Sequence, residues 1–245
     1  MKDNFSTHSD KYAQYRPAYP KEVYEFIMTH IKHTNTAWDC GTGNGQVARQ
    51  LANYFEQVYA SDISAQQIEH AQKHHNIIYA VQPAEKTNYP DKTFDLIVVA
   101  QAIHWFDFGR FYSEVKRTLK GSGLFVVLGY GKAYISPEID DVVEKLYNGI
   151  VGPYWDKERK YIEESYQTIP FPFQEVETPQ FVNTFSWTFE HFVGYLKTWS
   201  AVKHFIKQRG YDPLDDIYEE LSYSWGSVGT REVNYPLLLR VGTIT

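Results

Sequence analysis

The stretch Trp38–Ala52, WDCGTGNGQVARQLA, decides the fold. A short apolar run ends in three alternating glycines, Gly41, Gly43 and Gly45, and Val47, Leu51 and Phe55 then recur at helical spacing. This reads as a buried strand, a glycine turn and an amphipathic helix. Glycines allow positive φ and a close approach of backbone to ligand, so the turn suits a dinucleotide, a phosphate or another nucleoside cofactor. The dinucleotide fingerprint G-x-G-x-x-G places its third glycine where this chain has Gln46. Gly45 makes the spacing G-x-G-x-G instead.

Working outward, QVYASDIS is a second strand ending at Asp62, followed by the capping-box pair Ser64 and Gln67. NIIYAVQ is a third strand. FDLIVVAQA is a fourth, with the continuous apolar run of a strand covered on both faces. Phe108, Phe111, Tyr112, Val115 and Leu119 mark a helix, and GLFVVLGY is a fifth strand after a glycine turn. Upstream, Pro20 opens a helix carrying Val23, Phe26, Ile27 and Ile31. Strands and helices alternate from about Thr36 to Gly131, which predicts a parallel sheet with helices on both faces. Ligands of such sheets bind beyond the carboxyl ends of the strands, at the switch point. Asp62 stands at one such end, and an ionised carboxylate, being acceptor-only, suits a vicinal diol.

The pattern changes after Tyr130. Ser136-Pro137 opens a helix with Ile139, Val143, Leu146 and Ile150, and Gly152-Pro153 closes it. FVNTFSWTF reads as a strand, Thr188 caps a helix with Phe192, Val193, Leu196 and Trp199, Asp212-Pro213 starts another, and YPLLLRVGTIT is a last strand. Residues 132–181 are too many for a plain connection and read as a cap or substrate insertion. The expected organisation is one domain over 1–245. Residues 1–35 form an N-terminal covering segment and helix, and 36–131 the cofactor-binding core. The cap follows at 132–181, and 182–245 complete the sheet and pocket.

Composition narrows the class. The 245 residues are 43% hydrophobic and 22% charged, as in ordinary globular proteins. A net charge of −6 without a basic run argues against nucleic acid. No apolar stretch is long enough to span a membrane, the N-terminus lacks a signal-peptide core, and the single cysteine, Cys40, fits a reducing, cytoplasmic setting. Aromatic residues make up 17% of the chain and crowd its second half, where they fill cores or line organic-ligand pockets. His104 and Asp107 have helical spacing but no further ligands, so no metal site is expected.

The segments WDCGTGNGQVARQLA, VYASDIS, QPAEKTNYPDKTFDLIVVAQAIHWFD and VKRTLKGSGLFVVLGYG resemble, in that order, the class I S-adenosylmethionine-dependent methyltransferases. YAQYRPAYP, HWF and TWSAV are similar to the branch of type 11 methyltransferases that contains the trans-aconitate enzymes. The resemblance implies a Rossmann-like, seven-stranded, mostly parallel α/β sheet with helices on both faces, its last strand antiparallel, and an inserted helical and aromatic cap. It implies S-adenosylmethionine as cofactor, S-adenosylhomocysteine as product and a small-molecule acceptor. Asp39, Gly41, Gly43 and Gly45 would surround the methionine part and ribose side. Asp62 would hold the ribose hydroxyls, Ile63 would pack on the adenine, Ala84 and Glu85 would border it, and Gln101 would lie by the sulfonium. Tyr12, Tyr15 and Arg16 would fold over the site, with Arg16 on the cofactor carboxylate.

Methyl transfer from a sulfonium needs alignment and exclusion of water more than acid catalysis. A carboxylate acceptor needs no base, whereas a hydroxyl does. His104 is the expected base and Trp105 a pocket wall, set against the plainer reading of both as packed loop residues. Tyr154, Trp155, Trp199 and His204 are further lining candidates, and Lys132, Arg159 and Lys203 are cations for an anionic acceptor. Two other readings stand beside this one: an NAD(P)-dependent oxidoreductase, disfavoured by Gln46, and a non-catalytic cofactor-binding or interaction relative.

Overall fold

A computed structural model describes Tyr15 and residues 17–244. Pro20 precedes helix α1 (Lys21–Thr29), which buries Val23, Tyr24 and Ile27. The chain then alternates through β1 (Thr36–Cys40), α2 (Gln46–Leu51), β2 (Gln57–Asp62), α3 (Ala65–Glu69), β3 (Ile77–Val81), β4 (Phe94–Ala100), α4 (Phe108–Thr118) and β5 (Leu119–Tyr130). The strands lie side by side in the order β3-β2-β1-β4-β5, all parallel. From β1 the chain steps outward to β3 and returns to β4 on the other side of β1. The order therefore reverses between β1 and β4, and the glycine turn leaves the sheet at that point.

Local chemistry accounts for the elements. Ser64 accepts from the Gln67 amide at the start of α3, and Asp107 accepts from the Arg110 amide at the start of α4. Six of the seven residues of β4 are buried, with apolar layers on both faces. Each fully buried Ile or Val there contributes roughly 1.5–3 kcal/mol. The expected glycine turn before the fifth strand is a register irregularity instead. Phe94 pairs with Leu119 and Leu96 with Leu124, so four residues of β5 stand opposite Asp95 alone, three more than a regular ladder would hold.

The sheet is completed from the far end of the chain. Strands β6 (Gln174–Val176) and β7 (Val182–Trp187) both pair antiparallel with β8 (Arg231–Thr243). One part of β8 runs antiparallel to β5, from Leu124↔Thr243 to Tyr130↔Leu237. Its first part pairs with β7, from Trp187↔Arg231 to Val182↔Pro236, and Asn234 also bridges to Tyr134. Seven strands thus lie in the order β3-β2-β1-β4-β5-β8-β6, and β8, which outruns β5, recruits β7 as an eighth off this path.

The helical part of the second half, called the cap below and reaching beyond 132–181, consists of α5 (Pro137–Glu144), a wider turn over Lys145–Ile150, α6 (Lys160–Glu163), α7 (Phe189–Leu196), α8 (Ser200–Arg209) and α9 (Tyr218–Trp225). Trp187, Phe192, Tyr195, Trp199, Trp225 and Tyr235 are buried in its core. Residues Ile162, Tyr166, Ile169 and Phe173 pack elsewhere, on the α4 face of the sheet. Among the described residues no helix is long and apolar enough to cross a membrane.

Candidate active site

The turn after β1 holds Gly41, Gly43 and Gly45 at φ of 72°, 54° and 85°, all left-handed. The Gly41 and Thr42 amides donate to the Ser61 carbonyl at 2.8 and 3.0 Å, which ties the turn to β2. A Cβ on Gly41 would lie 2.7 Å from the Ala102 Cβ and 3.3 Å from the Phe106 ring, so the loop after β4 closes down directly on this glycine. A Cβ on Gly45 would strike the Tyr79 ring. At Gly43 a Cβ would meet only the Gln67 amide oxygen, 3.9 Å away, so this part of the turn faces open space.

Two carboxylates bracket the turn. Asp39, fully buried near the end of β1, accepts through Oδ2 from the Thr42 hydroxyl and from the Ala48 amide at 2.9 Å. Its Oδ1 is buried without a hydrogen-bond partner. Burial, with Asp62 adding a like charge, raises its pKa to about 7 against the two hydrogen bonds. Asp62 ends β2 and receives the Gly43 amide on Oδ2 and the Ser64 amide on Oδ1, each at 2.9 Å. Ile63 and Val81, at the ends of the adjoining strands, leave apolar surface uncovered, 38% and 53% exposed. Ala84 is buried, and Glu85 accepts from the Asp107 amide at 3.2 Å, bracing the start of α4.

The loop after β4 is constrained as tightly. Gln101 has φ of 54°; its amide donates to the Leu128 carbonyl at 2.9 Å and its side chain to the Tyr130 carbonyl at 3.1 Å. His104 and Trp105 sit in the short helical turn Ile103–Trp105. His104 is buried, with Nδ1 3.2 Å from the Tyr166 hydroxyl. Burial, helped by the Arg159 charge, lowers its pKa to about 3, so the imidazole is neutral. Tyr166 is fully buried, and it and Ser165 both have positive φ, 60° and 53°. Two consecutive left-handed non-glycine residues are costly and persist only where the surroundings enforce them. Arg240 does so here: it donates to the Tyr166 and Ile169 carbonyls at 3.0 and 2.8 Å while held by both oxygens of Glu175.

These two pKa displacements have opposite signs. Asp39 binds its proton more tightly in the folded chain, so its contribution to stability falls as pH rises from about 4 to about 7. His104 binds its proton less tightly when folded, so its contribution is lost as pH falls from about 6.5 towards 3. The expected result in denaturant titrations without ligand is that Asp39→Asn gains on the wild type as pH rises from 5 to 7.5. His104→Gln loses ground relative to the wild type over the same interval. Variant and wild-type curves that stay parallel would contradict the burial argument.

Tyr15 packs edge-on against His191 of α7, 5.1 Å between ring centres, on the cap. Tyr12 and Arg16 lie outside the described residues. Of the other lining candidates, Trp199 is buried in the cap core, Trp155 donates to the Tyr147 carbonyl at 3.1 Å, and His204 lies 3.0 Å from the Tyr154 carbonyl. Lys132 is paired with Glu144. No group of three or more metal-ligating side chains occurs among the described residues. Sequence reasoning missed Thr42, although a hydroxyl three residues after Asp39 and between two glycines was a readable signal. It also missed Tyr166, 62 positions from His104, for which no local pattern exists.

Comparison with known proteins agrees with this architecture. A family model described as "Methyltransferase domain" (Methyltransf_11) matches residues 38–127. A Dictyostelium discoideum protein named as a methyltransferase is 36% identical, over 97% of this chain and 93% of that one. A Saccharomyces cerevisiae protein named as an S-adenosylmethionine-dependent methyltransferase is 28% identical, over 68% of this chain and 59% of its own length. Among solved structures, one named as a type II methyltransferase from Anaeromyxobacter dehalogenans is 38% identical, with a TM-score of 0.86 over 93% of this chain and 97% of that one. With its glycine turn at the switch point and relatives aligned along nearly its whole length, the chain belongs to the methyltransferase family.

Proposed function

We propose that the protein transfers a methyl group from S-adenosylmethionine to an oxygen of a small-molecule acceptor, releasing S-adenosylhomocysteine. The observation that carries this reading is the pair of carboxylates around an open glycine turn. Asp39 Oδ1 is a buried acceptor without a donor, and the turn has open space at Gly43. A cationic amino acid with a ribose diol fits that donor deficit. Asp39 with the glycine turn would hold the methionine and ribose side. Asp62, its plane fixed by the Gly43 and Ser64 amides, would take the ribose hydroxyls. The exposed apolar faces of Ile63 and Val81 suit an aromatic base. Ala84 and Glu85 would border that base, with Gln101 beside the methionine part.

When bound, the cofactor supplies a methyl on a positively charged sulfur that leaves as a neutral thioether, so no acid has to assist. The protein's work is to align the acceptor and exclude water. The fixed carbonyl and side-chain bonds of Gln101 and the closure of Ala102 and Phe106 onto Gly41 serve that alignment. In this reading His104 is not a base. A group with a pKa of about 3, engaged with Tyr166, is a neutral positioning residue that fixes the loop under the acceptor. That favours an acceptor oxygen already nucleophilic at neutral pH, a carboxylate, over an alcohol.

Titration calorimetry with S-adenosylhomocysteine and with NAD tests the assignment. Micromolar binding of the former and none of the latter is expected, corresponding to roughly 8 kcal/mol. Binding of NAD alone would favour an oxidoreductase. Labelled methyl transfer across a panel of organic acids then separates an enzyme from a relative that only binds the cofactor.

A further inference from the structure

Arg159 ends the short turn Lys157–Arg159, which packs against the Ile103–Trp105 turn that carries His104. Its guanidinium lies 4.7 Å from the Trp155 ring centre and 5.3 Å from that of Tyr147. Nε donates to the Tyr147 hydroxyl at 2.7 Å, and Tyr147 donates in turn to Glu163 at 2.6 Å. That carboxylate is therefore one hydrogen bond removed from the guanidinium.

Four other cations of this half of the molecule are neutralised directly, whereas Arg209 and Arg231 bond to the Tyr154 hydroxyl and the Trp225 carbonyl. Lys132 pairs with Glu144, Lys145 with Glu220, Lys197 with Asp212 and Arg240 with Glu175. Among the described residues Arg159 has no such ion pair. A guanidinium carries five N–H donors in a planar fork, and only the Nε–H has an acceptor here. Half-buried beside the two aromatic rings, it is partly stripped of water and held by the Tyr147 hydroxyl. The fork that remains matches a carboxylate or a phosphate.

The place is as informative as the charge. Arg159 adjoins the loop after β4, whose Ala102 and Phe106 seal against Gly41 of the glycine turn. It thus stands beside the loop that closes on the glycine turn, within the segment expected to recognise the acceptor. We propose that Arg159 is the anion receptor for the acceptor: it takes a carboxylate or phosphate group of a small organic anion, with Trp155 and Tyr147 as the walls beside it. The assignment rests on the methyl-transfer reading of the glycine turn. Lys132, also 5.3 Å from the centre of the Tyr147 ring, is already paired with Glu144 and has no part in it.

The test uses the full-length protein saturated with S-adenosylhomocysteine and follows tryptophan fluorescence, since Trp155 lies against the receptor. The probes are benzoate, phenyl phosphate and uncharged benzamide. Wild type binds one or both anions more tightly than benzamide, and the stronger of the two tells whether the group is a carboxylate or a phosphate. Arg159→Gln weakens anion binding by about ten- to a hundredfold, the range of one or two charge-assisted hydrogen bonds. Arg159→Lys weakens it less, and Lys132→Gln leaves it unchanged. Retained S-adenosylhomocysteine affinity in each variant shows that the fold is intact. Failure of both anions to bind, equal binding of benzamide, or undiminished binding by Arg159→Gln overturns the proposal. If the wild type itself ignores S-adenosylhomocysteine, it is the methyl-transfer reading that falls.

Discussion

Asp62→Ala lowers the affinity for S-adenosylhomocysteine by about thirty- to a thousandfold, roughly 2–4 kcal/mol. Two losses add. The proposed acceptor of the ribose hydroxyls disappears, and the Gly43 and Ser64 amides lose the oxygens that fix them. The second loss loosens the turn itself, so the entropy of ordering it falls on binding. Asp62→Asn separates the two: it keeps one carbonyl oxygen for a backbone amide but replaces the other with a donor that opposes the second amide. Its affinity is expected between wild type and Asp62→Ala. Calorimetry reads both, and an unchanged affinity in the alanine variant removes Asp62 from the cofactor site. Asp62 is at the rim rather than in the apolar core, so both variants are expected to stay folded.

The second large effect is on the fold. Gly41→Ala is expected to cost about 2–5 kcal/mol of stability, the sum of the left-handed backbone penalty and overpacking. The new methyl would meet the Ala102 Cβ at 2.7 Å, an atom fixed to the backbone of the β4 loop that cannot turn aside. Gly43→Ala, with 3.9 Å of room, carries only the backbone penalty, about 1–2 kcal/mol. It fills the open side of the turn, however, and so impairs cofactor binding out of proportion to its effect on stability. Urea denaturation of the two variants beside wild type reads the difference. Equal destabilisation would mean that the loop after β4 is not seated on Gly41.

The core of the fold was legible because its signals are local. The glycine turn, the continuous apolar run of β4 and the Ser64 cap each reside within a few residues. The antiparallel last strand was expected through the family resemblance. Its true start was not, because nothing local in Arg231–Asn234 distinguishes a strand paired with β7 from a plain loop. The role of His104 was least legible. Its place after the fourth strand suggested a base, but burial and the Arg159 charge lower its pKa, and Arg159 comes from a distant segment. The aromatic wealth of the second half was visible in composition. Which rings meet which cation depends on helix packing that has no sequence period of its own.

Strand β8 belongs to two structures at once. Leu237–Thr243 is laced to β5 and β6, while Arg231–Pro236 is laced to β7 on the cap. A single unbroken backbone therefore serves as a spar through both halves, and the Gly131 amide is pinned to the Pro236 carbonyl where they meet. A cap mounted this way cannot swing away as a lid on a hinge without tearing a hydrogen-bonded ladder. Substrate exchange is left to side chains and connecting loops, and the two halves melt together as one cooperative unit.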